Sequence, residues 1–328
     1  NWNRPHGGDG GQTIIDWSDP TRIFYRNNGT LYPGTYTMPG NPYVDFDLAQ
    51  DPVNPSKLYI AKDKYFFRLD YNTVPQLRRD SFPFYVDTIN SYSLICFAVA
   101  PSDPNIIYAS LDVTGPSPNY VHRCELWLST NNGVSFSKIN TPFDIDFNGP
   151  FKYGFISDIA IDPENPSIIW CSQTGFSGNV LYFDINTLSG VVNSAFEIPG
   201  LPKVPCNTIT YQKGSNDVLY AGTDIGVYRF TPNTGWQCFS QNLPPLIVSD
   251  IEINYCNQKI IIGTYGRGIW QSDLEPITAY NLDKNKTIIT GTIENYSNDN
   301  IITAPNTLTD NGTLNNAKDR RNIIEPGA

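Results

Sequence analysis

Apolar residues along this chain fall into short strand-length runs, broken every few positions by Gly, Pro, Asp or Asn. That is the pattern of strands joined by turns, not of amphipathic helices. The clearest instance occurs twice, as Val218-Leu-Tyr-Ala-Gly-Thr-Asp-Ile-Gly-Val-Tyr-Arg229 and as Ile260-Ile-Ile-Gly-Thr-Tyr-Gly-Arg-Gly-Ile-Trp-Gln271. Each copy is an apolar run, Gly-Thr, a tight turn, a Gly and a second apolar-aromatic run, which reads as a β-hairpin. A further strand is expected upstream of each, over Cys206–Tyr211 and Ile247–Asn254.

A second pattern recurs along the chain: a strand, a turn of Pro, Asp and Asn, then a strand with an aromatic residue. It runs through Ser18-Asp-Pro20, Asp51-Pro-Val-Asn-Pro55, Pro101-Ser-Asp-Pro104 and Asp162-Pro-Glu-Asn-Pro166, then Lys213–Asp217 and Tyr255–Gln258. Pro presets φ in such turns, and Asp or Asn closes them on neighbouring amides, so Asp51 and Asp162 read as turn residues, not catalytic acids. The matching positions Phe24, Tyr59, Tyr108, Trp170, Tyr220 and Ile261 recur every 35 to 62 residues, the length of a four-stranded sheet with variable loops. The expected fold is all-β: a β-propeller of about six visible four-stranded blades over residues 1–274, which could belong to a larger propeller. The sixth unit shows three strands and stops near Leu274.

Beyond Glu275 the composition shifts to Asn, Thr, Asp and Ile, and Cys and Trp vanish. The β-branched runs Thr287–Ile293, Asn300–Thr303 and Asn322–Ile324 predict a small accessory β-module or stalk over 275–328. The glycine-rich opening, the short sixth unit and the terminal Pro-Gly lead us to expect a piece of a longer chain or assembly. An upstream blade, a neighbouring chain or the segment Asn1–His6 would then meet the open blade edge.

Composition narrows the function classes. A charged fraction of 16% is low for 328 residues, so Asn, Ser, Thr and Tyr supply surface polarity, as suits an extracellular β-protein. A net charge of −10 argues against a nucleic-acid partner, which needs clustered Lys and Arg. No apolar run is long enough for a membrane-spanning helix. Six cysteines, at 96, 124, 171, 206, 238 and 256, show neither CxxC nor zinc spacing. Buried thiols and disulfides both remain open for them.

Ser129-Thr-Asn-Asn-Gly-Val-Ser-Phe136 resembles the Asp-box of BNR, sialidase-like and sortilin-like propellers, with Asn131 at the usual Asp and Phe136 at the usual Trp. With the strand–turn pattern and the two hairpins, it is similar to secreted Bacteroidota propellers of the type IX secretion cargo type. The resemblance covers roughly residues 7–274. It implies an extracellular or outer-surface location, and a structural turn motif in which Ser129, Asn131 and Gly133 close a hairpin while Phe136 packs between strands.

Catalytic chemistry is thinly signposted. The sialidase Arg signature is absent; Phe67-Arg-Leu-Asp70 is the nearest segment, with Asp at the Pro place. Asp224, in Thr223-Asp-Ile-Gly226, resembles a xyloglucanase loop and is the one candidate acid, though a turn role outweighs it. Asp9, and Asp144 with Asp146, are weak metal candidates beside an ordinary loop or strand reading. His6 and His122 are solitary. We therefore expect no catalytic set, no metal and no cofactor. The Tyr, Trp and Asn content favours a binding or structural module for a glycan or protein ligand at the propeller face, the alternative being a glycoside hydrolase of sialidase or xyloglucanase type.

Overall fold

The computed structural model describes residues 10–19, 21–27, 30–32, 36–37, 46–62, 65–70, 82–83, 90–116, 122–142, 154–176 and 180–275, and five strands beyond residue 279. Every regular element among them is a β-strand. The first sheet comprises β1 (Gly10–Ile15), β2 (Ile23–Asn27), β3 (Thr30–Tyr32) and β4 (Tyr36–Thr37). The second has β5 (Phe46–Gln50), β6 (Lys57–Lys62), β7 (Tyr65–Asp70) and β8 (Phe82–Pro83). The third has β9 (Ser91–Val99), β10 (Ile107–Thr114), β11 (His122–Ser129) and β12 (Ser137–Lys138). The fourth has β13 (Ile156–Ile161), β14 (Ile168–Gln173), β15 (Val180–Asn186) and β16 (Val191–Ile198). The fifth has β17 (Cys206–Tyr211), β18 (Leu219–Thr223), β19 (Gly226–Thr231) and β20 (Gly235–Cys238). The sixth has β21 (Val248–Asn254), β22 (Lys259–Thr264) and β23 (Gly268–Asp273).

Each sheet is an antiparallel meander in chain order, and the first strands of successive sheets lie beside one another, β1 against β5, β5 against β9 and β9 against β13. Four-stranded meanders that touch through their first strands are the blades of a β-propeller. Among the described residues the complete four-stranded blades number five, where the repeat pattern predicts about six; the sixth repeat is three-stranded.

The chain divides into two compact units, residues 1–209 and 210–328. In the first, the core is a series of apolar layers between neighbouring blades: Phe24 and Leu31 with Leu58 and Phe67, then Phe66 and Tyr59 with Ile107 and Trp127, then Tyr108 and Leu126 with Ile159 and Cys171. In the second, Val218, Tyr220 and Val227 pack on Val248, Ile260 and Ile262. The recurring aromatic positions Phe24, Tyr59, Tyr108, Trp170 and Tyr220 are all buried. Burying a side chain of that size stabilises by roughly 1.5–3 kcal/mol.

The Asp/Asn/Pro turns close alike. An amide bonds the carbonyl six residues on at Asp16–Arg22, Asp51–Lys57, Ala100–Ile106, Asp162–Ile168 and Gln212–Val218, at 2.8–3.0 Å. Within them Asp51 Oδ1 accepts from the amides of Val53 and Asn54, and Asp162 Oδ1 from those of Glu164 and Asn165. A carboxylate that satisfies two turn amides holds the chain in the reversal that delivers the next strand.

Beyond residue 279 lie β24 (Tyr280–Asn281), β25 (Ile288–Asn295), β26 (Asp299–Ile302), β27 (Thr307–Asn316) and β28 (Arg321–Ile324). They pair in parallel, in the order β24-β26-β28 in one sheet and β25-β27 in another. Sequence pattern alone does not suggest β27, whose Asp, Asn and Gly are poor strand formers.

Candidate functional site

The Ser129–Phe136 turn joins β11 to β12 and is closed on itself. Ser129 Oγ accepts from the amide of Gly133 at 2.9 Å and donates to Asn131 Oδ1, which also accepts from the Ser135 amide at 2.9 Å. Asn132 and Gly133 take positive φ, 60° and 75°. Within its own blade Asn132 Nδ2 donates to Pro104 O, and the turn meets the preceding blade through Asn132 Nδ2 donating to Tyr59 Oη, Arg68 donating to Asn132 O at 3.3 Å, and Phe136 standing edge-on to Phe66 at 5.2 Å. Tyr59 in turn donates to Asp51 Oδ2 at 2.6 Å. These contacts suit a blade-to-blade clasp.

A second clasp, which sequence reading missed, runs along the first strands. Asp47 and Asp158 occupy the same register, opposite Ala61 and Ser172 and four residues before the turn residues Asp51 and Asp162. Asp47 Oδ2 accepts from the amide of Phe97 at 3.3 Å; Asp158 Oδ2 accepts from Thr208 Oγ1 at 2.8 Å and from the Ile209 amide at 3.0 Å. The signal was the shared placement of an acid ahead of an apolar strand.

Asp250 on β21 has the same register, opposite Gly263. Its side chain reaches solvent, yet it has lost much of its hydration, and that loss pushes its pKa up against the lowering from the Ile251 amide. Asp224 sits partly buried in the two-residue turn between β18 and β19. Asp9, Asp144, Asp146 and His6 fall outside the described residues, as does the His122 side chain. Among the described residues no group of three or more His, Cys, Asp or Glu side chains gathers as a metal site would require.

No disulfide forms; all six cysteines are free thiols, with Cys96, Cys124, Cys171 and Cys206 buried and Cys238 and Cys256 exposed. Burial pushes the Cys124 thiol up to about 11 and raises the other three buried thiols as well.

A cleft of about 340 Å³ lies in the second unit, between the fifth and sixth sheets. Val227, Phe239 and Ile260 supply an apolar floor, Trp270 a wall, and Gln241, Asn242, Gln271 and Ser272 a rim of amides and a hydroxyl. Trp270 is 38% exposed, its Nε1 held by Arg267 O at 3.0 Å. At the far end Lys259 and Asp273 pair at 2.5 Å. An aromatic face ringed by uncharged donors and acceptors can bind either a sugar ring or a peptide side chain.

No known family profile matches this chain, and no curated protein matches it. Among solved structures, it is similar to the GH74 xyloglucanase from Xanthomonas campestris, at 13% identity over 70% of this chain and 38% of that one, with a TM-score of 0.49. It is also similar to an ancestral GH74 enzyme, at 17% identity over 67% and 27% of the two chains, TM-score 0.45. A third likeness is to the extracellular domain of a one-component system from B. thetaiotaomicron, at 16% over 83% and 38%, TM-score 0.43. The chain spans between a quarter and two fifths of the length of each. With TM-scores below 0.5, these likenesses add nothing to the fold that the strand order establishes.

Proposed function

We propose that this chain is an extracellular binding module whose ligand, a glycan or a protein segment, seats in the Trp270 cleft. The observation that carries the reading is the cleft's lining: an accessible indole over an apolar floor, with amide groups around the mouth. Partly exposed Trp residues beside neutral polar groups contribute strongly to recognition because they bury large area at low conformational cost. The low charged fraction and abundant Asn and Tyr suit an extracellular setting.

The test is a glycan array and a displayed-peptide library probed with the chain and with Trp270→Ala. Ligands of the parent should lose at least about tenfold in affinity in the variant, a shift worth about 1.4 kcal/mol, while the melting curve stays put. Ligands indifferent to Trp270 would overturn the assignment.

One observation favours a second reading, a glycoside hydrolase. A general acid needs a carboxyl held protonated toward neutral pH, and Asp250 is raised in that direction. Reducing-sugar release from soluble β-glucans, abolished by Asp250→Asn and by Asp224→Asn, would establish it; absence of release across such substrates would remove it.

A further inference from the structure

We infer that the partner of this cleft is an extended polypeptide that adds to β23 as a fourth strand, an inference that rests on the cleft being the binding site. The hydrogen-bond phase of β23 shows which peptide groups are available. Leu274 donates its amide to Gln258 O at 2.9 Å, and from there the register pairs Ser272 with Ile260 and Trp270 with Ile262. Because hydrogen-bonded and non-bonded pairs alternate in an antiparallel ladder, Gly268, Trp270 and Ser272 turn their peptide groups to β22. Ile269, Gln271 and Asp273 turn theirs outward, where no strand lies among the described residues.

The fifth blade supplies the template. There Val227 occupies the place of Ile269, one residue after the glycine that opens the third strand, and its carbonyl accepts the Phe239 amide at 2.8 Å. Val227 is buried, whereas Ile269 is 79% exposed and every residue of β23 is open to solvent. An unpaired strand edge that exposes Ile269 and Trp270 is a feature that natural sheets cover, twist away or charge, and here the one charged residue, Asp273, stands at its end. Here the neighbouring cleft adds a receptacle of a size for one or two large side chains of the arriving strand.

The occupant's chemistry follows. A row of outward amides and carbonyls at every second residue matches the two-residue repeat of a peptide backbone, which no sugar reproduces. A second copy of this chain is disfavoured because each copy carries a net charge of −10. The strand that fits is neutral or basic, runs antiparallel to β23 as β20 does to β19, and carries a bulky apolar residue for the Trp270 wall.

The probe is an acetylated peptide of about nine residues, alternating Thr and Val about a central Phe and flanked by Lys, with two versions N-methylated at alternate residues in opposite phases. The parent peptide should slow amide exchange at Ile269, Gln271 and Asp273. One methylated phase should lose at least about tenfold in affinity, because its donors to the edge are gone, while the other binds as the parent does. Equal binding by both phases would overturn strand addition, as would a peptide that fails to bind. Protection of these three amides before any peptide is added would overturn it too: a dimer by sedimentation would then assign the edge to a second copy, and a monomer to the chain itself. If a glycan binds in a Trp270-dependent way while the peptide does not, strand addition fails and the cleft assignment stands. If nothing binds through Trp270, both fail.

Discussion

Asp158 accepts two hydrogen bonds from the next first strand, from the Thr208 hydroxyl and the Ile209 amide, and a third from the Ile159 amide at 2.8 Å. One carboxylate therefore holds its own strand and its neighbour in register. Removing it strands a buried Ile209 amide as well as deleting charge-assisted bonds. Asp158→Ala should cost about 2–3 kcal/mol in urea unfolding, and Thr208→Val, which spares the amide bond, about 1 kcal/mol. Equal costs would mean that the amide bond contributes nothing. Asp162→Ala, in a turn with solvent access, should cost roughly 0.5–2 kcal/mol.

Gly133 tests the clasp between blades. It has φ of 75°, and a Cβ there would stand 2.3 Å from a carbon of the Phe66 ring. Gly133→Ala combines left-handed strain with overpacking, so a loss of roughly 2–4 kcal/mol is expected. A second change, Phe66→Leu, should lower the penalty of Gly133→Ala by making room for the methyl group. A penalty unchanged in the Phe66→Leu background, measured by a double-mutant cycle, would place the strain elsewhere.

Glu125 sets an acid limit on stability. Burial pushes its carboxyl up, but Lys138 at 2.6 Å and Arg123 at 2.8 Å outweigh that and hold it below the ordinary glutamate range. A carboxyl depressed by folding contributes fully above its unfolded pKa, about 4.3. That contribution fades as pH falls through the lower folded value. Melting temperature should therefore drop below about pH 4 more steeply in the parent than in Glu125→Gln. Superimposable acid limbs would show that this group does not carry the effect.

The thiols should react in two classes. Cys238 and Cys256 are exposed, while the other four are buried with raised pKa values. Thiolate is the reactive form, so a disulfide reagent at pH 8 should label two groups quickly in the native chain and all six in denaturant. Fast labelling of a third would reveal local opening around one of the buried cysteines.

Much of this architecture was legible in the chain because its determinants are local. The Asp51 and Asp162 turns satisfy amides two and three residues away, and the Gly-Thr hairpins at Gly222 and Gly263 are built from adjacent strands. The recurrence that marked Tyr59, Tyr108 and Trp170 as equivalent positions was likewise readable from the chain, and their strands are buried on both faces. What lay beyond the sequence depends on residues far apart along it. Asp47 and Asp158 look like any strand acid until folding brings amides some 50 residues onward to within 3.3 Å. Whether six cysteines pair or stay apart was open, because pairing depends on distances that only packing sets. Val227 and Ile269 follow the same Gly in the same kind of hairpin, yet one is buried and the other is 79% exposed. Sequence specifies the strand in both cases, but exposure depends on what packs over it: the fifth blade has a fourth strand, and the described part of the sixth does not.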